Sequence, residues 1–166
     1  MLEGLTPRKV VEFAVTTEEI GARFYNRMAR KFADETEVAA IFAQLARDEE
    51  AHQRQFTQLL DEVPPSFDDQ AEYERAQYLR AMAISEFFSG TGPFHDADSV
   101  DDIAQALKHA LDFEKAALGY YRALREEIGE NAGLDGIIAA EKSHVARLMR
   151  VITTGAKFRS LEDSWA

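Results

Sequence analysis

Cysteine is absent from this sequence of 166 residues. Disulfide bonds, thiolate catalysis, zinc knuckles and iron–sulfur clusters held by cysteine are therefore excluded for this sequence. The remaining composition is 46% hydrophobic and 30% charged, which is ordinary for a soluble protein. The length predicts one compact domain over residues 1–166.

Basic residues and long hydrophobic runs are also scarce. Lysine and arginine number 19 against 30 aspartates and glutamates, so the net charge is −11. Because this charge repels phosphate backbones and anionic lipid, we expect neither nucleic acid nor a membrane as a partner. The sequence has no apolar run near the roughly 20 residues of a membrane span, and the stretch "MLEGLTPRKVVEF" has no apolar run of signal-peptide length. We therefore expect a soluble, cytoplasmic protein.

Apolar residues recur at spacings of three and four along most of the chain. They predict an all-α protein with helices at about 7–32, 35–62, 100–128 and 132–154, and a connector helix at about 70–88. A short tail containing Phe158, Leu161 and Trp165 should follow and pack or dock elsewhere. The expected helix ends are Thr6 with Pro7, a capping box of Asp34 and Glu37, Pro64 with Pro65, Ser99, Gly129 and Gly155.

The lengths of the connections predict how the four long helices are arranged. The first and second helices are joined by a short link, and so are the third and fourth, so each pair should form an antiparallel hairpin. The connection between the pairs, about residues 63–98, is long enough to travel back along a bundle. This topology is that of a ferritin-like antiparallel four-helix bundle with a long, partly helical crossover.

Each of the four long helices carries one glutamate on its otherwise apolar face. In the second and fourth helices a histidine follows the inward glutamate three residues later, on the same face. The adjacent Glu19 and Glu50 fall on the polar sides of their helices. The inward set is Glu18, Glu49, His52, Glu114, Glu141 and His144.

The inward acids are repeated at matching positions in the two halves of the chain. Tyr25 follows Glu18 by seven residues, and Tyr121 follows Glu114 by the same distance. The two hairpins therefore look like copies of one acid-bearing unit. Because every inward acid lies near the middle of its helix, a bundle with aligned helix ends should bring all of them to one level.

A cluster of buried carboxylates is costly unless the acids take up protons, meet buried cations or bind metal. The apolar faces offer no lysine or arginine. Two divalent ions balance four carboxylates, and two neutral imidazoles complete the ligand shells without adding charge. The spacing Glu-x-x-His also lets one helix give an oxygen and a nitrogen to the same ion. The pattern therefore predicts a site for two metal ions.

Each piece of the pattern also has an ordinary structural explanation. A lone Glu-x-x-His is usually accidental in a chain rich in glutamate, and a single acid in an apolar stripe often lies at a boundary. The doubled motif is what favours metal binding. Tyr25 and Tyr121 are either core aromatics or hydrogen-bond partners of ligand carboxylates.

Several other residues are interpreted without a role at the site. We expect Asp48 and Glu50 to be solvated charges, and His95 and His109 to be surface histidines. The apolar stripe of the connector helix is interpreted as packing; it comprises Tyr78, Met82, Phe87 and Phe88.

Four segments of the sequence resemble the rubrerythrin branch of the ferritin-like superfamily. "EEIGARFY" with "LARDEEAH", and then "EKAALGYY" with "IIAAEKSH", match the family's doubled pattern of E-x6-Y followed by E-x-x-H. The resemblance covers about residues 8–152. It implies that Glu18 and Glu114 are terminal ligands, that the two Glu-x-x-His pairs chelate the ions, and that Glu49 and Glu141 bridge them.

The sequence departs from rubrerythrins at two points. It lacks the four cysteines of a rubredoxin domain, so electrons would come from a separate donor such as a free rubredoxin. Where the family has a second acid in the third helix, this sequence has Ala117. The absence of that acid leaves a site with six ligands, which is closer to the general diiron carboxylate pattern. In the family, the extra acid is linked to peroxidase behaviour.

The resemblance and the donor set together favour two iron ions, with manganese or zinc as alternatives. The expected activity is the reaction of the metal pair with dioxygen or hydrogen peroxide, as a ferroxidase or a peroxide-reducing oxidoreductase. A diiron hydroxylase with a small apolar substrate and a non-catalytic bundle or metal-binding module are the other interpretations. The crossover and the apolar tail offer surface for a homodimer.

Overall fold

Four long helices account for most of the structure. The computed structural model describes residues 6–63, residues 70–81 except 72, 75 and 80, and residues 100–163, with side chains described as far as Gly155. The helices are α1 (Pro7–Lys31), α2 (Thr36–Leu59), α3 (Ile103–Ile128) and α4 (Ala132–Asp163). The described residues of 70–81 are helical too, and these ranges contain no strand. The predicted all-α, ferritin-like fold is confirmed.

Contacts at the helix ends define two antiparallel hairpins. At the start of α1, the Nη1 atom of Arg8 donates to the carbonyl oxygen of Leu60, just past the end of α2, at 3.2 Å. Near the end of α3, Nε of Arg125 lies 2.7 Å from Oδ1 of Asp135 in the first turn of α4. The links inside the hairpins are short because each helix reverses direction at the end of its partner.

The crossover between the hairpins carries the chain back along the bundle. The Nζ atom of Lys31, at the end of α1, lies 3.7 Å from Oδ1 of Asp101, just before α3. The hydroxyl of Tyr120, in the second half of α3, donates to the carbonyl of Val10 at 2.9 Å. Helix α3 therefore runs antiparallel to α1 and parallel to α2, as the long connection predicted.

Local chemistry explains where the helices begin and end. Thr6 caps α1 by accepting from the backbone N–H of Lys9 at 3.2 Å, as predicted, and Gly129 ends α3 with a φ of 78°. Two predicted caps are wrong. Helix α2 begins after Glu35 without a side-chain cap, so Asp34 and Glu37 form no capping box. Ser99 was predicted to cap the third helix, but α3 begins after Asp102, whose side chain accepts a hydrogen bond from the backbone N–H of Gln105 at 2.8 Å.

The prediction that Gly155 ends the fourth helix is also wrong, because α4 continues to Asp163. A helix-ending glycine normally adopts a positive φ, and Gly129 is the one described residue that does so. A single glycine inside a helix costs only about 1 kcal/mol relative to alanine, which is too little to stop a helix by itself. The side chains of Phe158 and Leu161, and the whole of Trp165, lie outside the described part.

The buried core follows the predicted apolar faces of the helices, except along part of α3. The apolar spacing of the third helix predicts a buried stripe that includes Leu107, Leu111, Leu118, Tyr121 and Leu124. Of these, Leu111 and Leu118 are only half-buried, whereas Phe113 and Tyr120, which lie outside the stripe, are buried. The aromatic side chains turn inward because they fill the space between helices and because Tyr120 has a backbone acceptor on α1. Tyr78 of the connector, which was expected to pack, is 68% exposed. The other three connector residues of that stripe lie outside the described residues.

None of the described helices combines the length and apolar content needed to cross a membrane.

Candidate metal centre

All six residues predicted to face inward meet in the middle of the bundle. Helices α1 and α3 each supply one glutamate, and α2 and α4 each supply one glutamate and one histidine. The four glutamates are completely buried, and the histidines are at most 5% exposed. This group, called the acid cluster below, consists of Glu18, Glu49, His52, Glu114, Glu141 and His144.

The acid cluster divides into two overlapping groups of four residues. Within each group, one ligand atom per residue lies within 4.8 Å of all the others. One group contains Glu18 and His52, the other contains Glu114 and His144, and both contain Glu49 and Glu141. The geometry thus offers two adjacent ligand sets that share two carboxylates. The shared residues are those that the resemblance implies as bridges; their role as ligands remains a prediction.

Many polar atoms of the acid cluster are buried without a hydrogen-bond partner. The six atoms are Oε2 of Glu18, both carboxylate oxygens of Glu49 and of Glu141, and Nδ1 of His52. Each unsatisfied buried group costs about 1–3 kcal/mol, and more where the group is charged. Such a concentration of unsatisfied ligand atoms at one level needs cations or protons as partners.

Both histidines turn the same ring nitrogen toward the carboxylates. Nδ1 of His52 lies 2.9 Å from Oε1 of Glu141, although this contact lacks hydrogen-bond alignment. Nδ1 of His144 lies 3.2 Å from Oε2 of Glu114 and 3.5 Å from Oε1 of Glu49. The two rings are stacked with centroids 5.7 Å apart. Each imidazole is therefore placed to offer one nitrogen to the centre of the cluster.

The two tyrosines that follow the inward glutamates bond across the bundle. The hydroxyl of Tyr25 on α1 donates to Oε1 of Glu114 on α3 at 2.6 Å. In the same way, the hydroxyl of Tyr121 on α3 donates to Oε1 of Glu18 on α1. Both tyrosines are completely buried. Of the two explanations offered by the sequence, the structure favours hydrogen bonding to the cluster carboxylates.

Asp48 contacts the acid cluster from outside, which the sequence did not predict. Its Oδ2 atom lies 3.2 Å from Nε2 of His144, on the opposite side of the ring from the cluster. Its side chain is only 29% exposed. The expectation of a solvated charge is therefore wrong, because α4 packs against that side of α2. The adjacent Glu50 is exposed, as predicted, and His109 lies outside both ligand groups.

Gly21 provides space next to the cluster, a feature that sequence reasoning also missed. A Cβ atom built on Gly21 would lie 2.7 Å from the ring of Phe113 and 3.4 Å from Oε2 of Glu49. The phenyl ring thus occupies the volume that any side chain at position 21 would need. A glycine inside a helix, three residues after an inward acid, was the available sequence signal.

At four members of the acid cluster the electrostatics favour protons wherever metal is not bound. At Glu141, burial alone would raise the pKa, but the close contacts with Glu114 and the two histidines outweigh burial and lower that pKa. Burial and the neighbouring carboxylates raise the pKa of Glu49 well above its usual value, and burial with Glu141 does the same for Glu114. Burial alone would lower the pKa of His52 and His144. The close carboxylates outweigh that effect and raise each histidine pKa to about 10.

The donor set fits two divalent cations. The contacts that balance charge in the cluster, among the described residues, are those between the glutamates and the two histidines. Four carboxylates and two imidazoles match the charge of two divalent ions. The unsatisfied oxygens and the histidine Nδ1 atoms point to a common centre. The buried groups could therefore hold metal.

Two cavities of the described part lie elsewhere. One of about 390 Å³ lies between the end of α2 and the start of α4, and one of about 460 Å³ lies beside Tyr78 and α3. No member of the acid cluster lines either cavity. They therefore give no support to a substrate pocket for a hydroxylase.

Comparison with known families finds one match within this fold. Residues 9–88, which include most of α1, all of α2 and the described part of the connector, match the family model for rubrerythrin. Neither curated proteins nor solved structures gave a match. The family match contains Glu18, Glu49 and His52, and the structure adds their counterparts from the second hairpin. Residues 9–88 of this chain are therefore similar to rubrerythrin domains, which are part of the ferritin-like diiron superfamily.

Proposed function

We propose that the acid cluster binds two iron ions and reacts with dioxygen or hydrogen peroxide, as a ferroxidase or a peroxide-reducing oxidoreductase. The observation that carries this proposal is the pair of buried ligand groups joined by Glu49 and Glu141, with unsatisfied carboxylate oxygens directed into them. The rubrerythrin family match supports the same interpretation. Carboxylate and imidazole donors suit iron and manganese, and zinc is the other candidate.

The side chains of this protein would bind the two ions, hold the ligand carboxylates in position and exclude water from the site. Glu49 and Glu141 would bridge the two ions, Glu18 and Glu114 would each bind one, and each histidine would add one nitrogen. Tyr25 and Tyr121 hold the terminal glutamates by hydrogen bonds from the opposite hairpin. The surrounding core excludes water, which strengthens every interaction between charges inside it.

When bound, a pair of ferrous ions would supply the two electrons that hydrogen peroxide needs, together with two protons, to become two water molecules. The resulting ferric iron would either leave as product or be reduced again. Re-reduction needs a separate electron donor, such as a free rubredoxin, because no cysteine-ligated centre is present in this sequence. The two protons would come from water, because Glu49 and Glu114 would already have released their own protons on binding metal.

Metal loading under anaerobic conditions tests the proposal. Metal-free protein is titrated with Fe(II), the bound equivalents are counted, and a stoichiometric amount of hydrogen peroxide or dioxygen is then added. We expect two Fe(II) per chain and their oxidation, followed by ferric absorbance and by loss of chelatable Fe(II). Glu49→Ala should lose both equivalents, because Glu49 belongs to both ligand groups.

Glu50→Ala is the matched control, since Glu50 is the exposed neighbour of Glu49 on the same helix. It should bind and oxidise iron like the unaltered protein. If the unaltered protein binds no more Fe(II) than Glu49→Ala does, the proposal is contradicted and the non-catalytic bundle is favoured. Binding of two ions without oxidation by either oxidant would leave metal binding in place and contradict the redox activity.

A further inference from the structure

The two ligand groups of the acid cluster differ in what supports their histidines. On its outer side, His144 meets the carboxylate of Asp48, with Nε2 and Oδ2 3.2 Å apart. Asp48 is itself held, because Nε2 of Gln44 donates to its Oδ1 at 2.8 Å. Gln44 in turn accepts from Nη2 of Arg47 at 2.6 Å. A hydrogen-bonded chain therefore leads from the surface of α2 to the outer nitrogen of His144.

The other histidine has no matching acid at the equivalent place in the sequence. Asp48 directly precedes Glu49, and the residue that directly precedes Glu141 is Ala140. The two hairpins place their glutamates and histidines equivalently, so position 140 is the counterpart of position 48. An alanine side chain cannot accept a hydrogen bond from an imidazole.

From this difference we infer that the two metal positions are unequal, and that the position bound by His144 is the tighter one because Asp48 orients that histidine. The inference rests on the proposed function, since it assigns a property to the two metal positions proposed there. Asp48 is a positioning residue, because it lies on the far side of the ring from the ligand atoms.

The physical reason lies in the two nitrogens of one imidazole. If Nδ1 of His144 gives its lone pair to a metal ion, Nε2 carries the proton and donates it to Asp48. The carboxylate then selects this tautomer, fixes the ring orientation and increases the electron density at Nδ1. Loss of such an outer partner typically lowers metal affinity about 10–100-fold. His52 must adopt its binding orientation without an acid at position 140.

Calorimetric titration of metal-free protein with Co²⁺ tests the inference without any enzymatic turnover. We expect two equivalents of unequal affinity. Asp48→Ala should weaken the tighter equivalent by about 10–100-fold and leave the weaker one unchanged. Asp48→Asn, which keeps an acceptor oxygen but removes the charge, should give an intermediate loss. Glu50→Ala should change neither affinity.

Histidine variants assign the effect to one position. In a His52→Ala background, which keeps the His144 position, Asp48→Ala should retain its full effect on the remaining equivalent. In a His144→Ala background it should have none, since its partner is gone. The visible absorption bands of bound Co²⁺ give a second readout, because a reoriented imidazole changes them while a purely structural effect does not.

The converse substitution, Ala140→Asp, should strengthen the weaker equivalent and bring the two affinities closer. Equal weakening of both equivalents by Asp48→Ala, no weakening, or a loss that persists in the His144→Ala background would overturn the inference. Circular dichroism of the metal-free variants separates these outcomes from misfolding. Because the Asp48 side chain is partly exposed, its truncation should leave the fold intact. A protein that binds no Co²⁺ would overturn the proposed metal site as well, whereas two equal equivalents would overturn this inference alone.

Discussion

The two helical hairpins are equal at the acid cluster and different immediately around it. Each contributes an inward glutamate, a tyrosine that bonds to the glutamate of the other hairpin, and a Glu-x-x-His pair. Corresponding residues are Glu18 with Glu114, Tyr25 with Tyr121, Glu49 with Glu141, and His52 with His144. The proposed binding of two ions would explain the equality, because two like ions need two like sets of donors.

The neighbours of these residues do not correspond. Thr17 precedes the inward glutamate in α1, where α3 has Phe113, and Gly21 stands at the position of Ala117. Each neighbour need only fill the space beside it, so packing can be achieved by a large residue against a glycine or by two smaller residues. The comparison teaches that the internal symmetry of this bundle is a property of its charges and not of its packing.

The largest effect that both hairpins should share is a pH dependence of the metal-free protein. In the folded state the pKa values of Glu49 and Glu114 are raised above the usual 4.5, and those of His52 and His144 rise from 6.5 to about 10. The folded protein therefore keeps protons that the unfolded chain has released. Its stability should be greatest in mild acid and should fall as pH rises from about 4.5 toward 10.

Urea unfolding at a series of pH values measures this dependence. His52→Gln and His144→Gln should each remove a comparable share of the slope, since one histidine comes from each hairpin. Metal-loaded protein should lack the fall, because cations replace the protons. If metal-free protein became more stable between pH 6 and 9, the protonation of the acid cluster described here would be wrong.

The next effect concerns the reciprocal tyrosines. Tyr25→Phe and Tyr121→Phe should each lower the free energy of unfolding of the metal-free protein by about 1–3 kcal/mol, because each change leaves a buried carboxyl oxygen without its partner. The two losses should agree, because each removes the same bond from opposite sides. Tyr120→Phe is the control: it removes a bond to a backbone carbonyl and should leave metal affinity unchanged. A clear inequality between the losses caused by Tyr25→Phe and Tyr121→Phe would limit the symmetry to the six residues of the acid cluster.

The smallest effect is expected at a position where the two hairpins differ, Gly21 in the first and Ala117 in the second. Gly21→Ala should lower the free energy of unfolding by about 1–3 kcal/mol, because the added Cβ would overlap the ring of Phe113. Helix propensity alone predicts the opposite sign, a gain of about 1 kcal/mol. The reverse change at the counterpart, Ala117→Gly, should cost about 0.5–1 kcal/mol through backbone entropy. Thermal or urea unfolding decides between the two signs at position 21.

Sequence reasoning reached the fold and the six members of the acid cluster for one physical reason. A charged residue on an apolar helical face is visible from spacing alone, and a repeat of that conflict in four helices predicts that the charges meet. Caps were less predictable, since several residues near each end can serve and tertiary contacts choose between them. The apolar spacing placed Leu111 and Leu118 in the buried stripe of α3, but they are only half-buried, because the rotation of α3 against its neighbours buries Phe113 and Tyr120.

The amino-acid sequence by itself determined the helical periodicity, the hairpin pairing and the level of the buried acids, because these depend on local spacing and connection length. Only the tertiary structure decided which residues touch the acid cluster from outside. Asp48 meets His144 because α2 and α4 pack side by side there, and Phe113 fills the space at Gly21 because α3 crosses α1. Contacts between helices depend on their relative rotation, which no spacing within one helix contains.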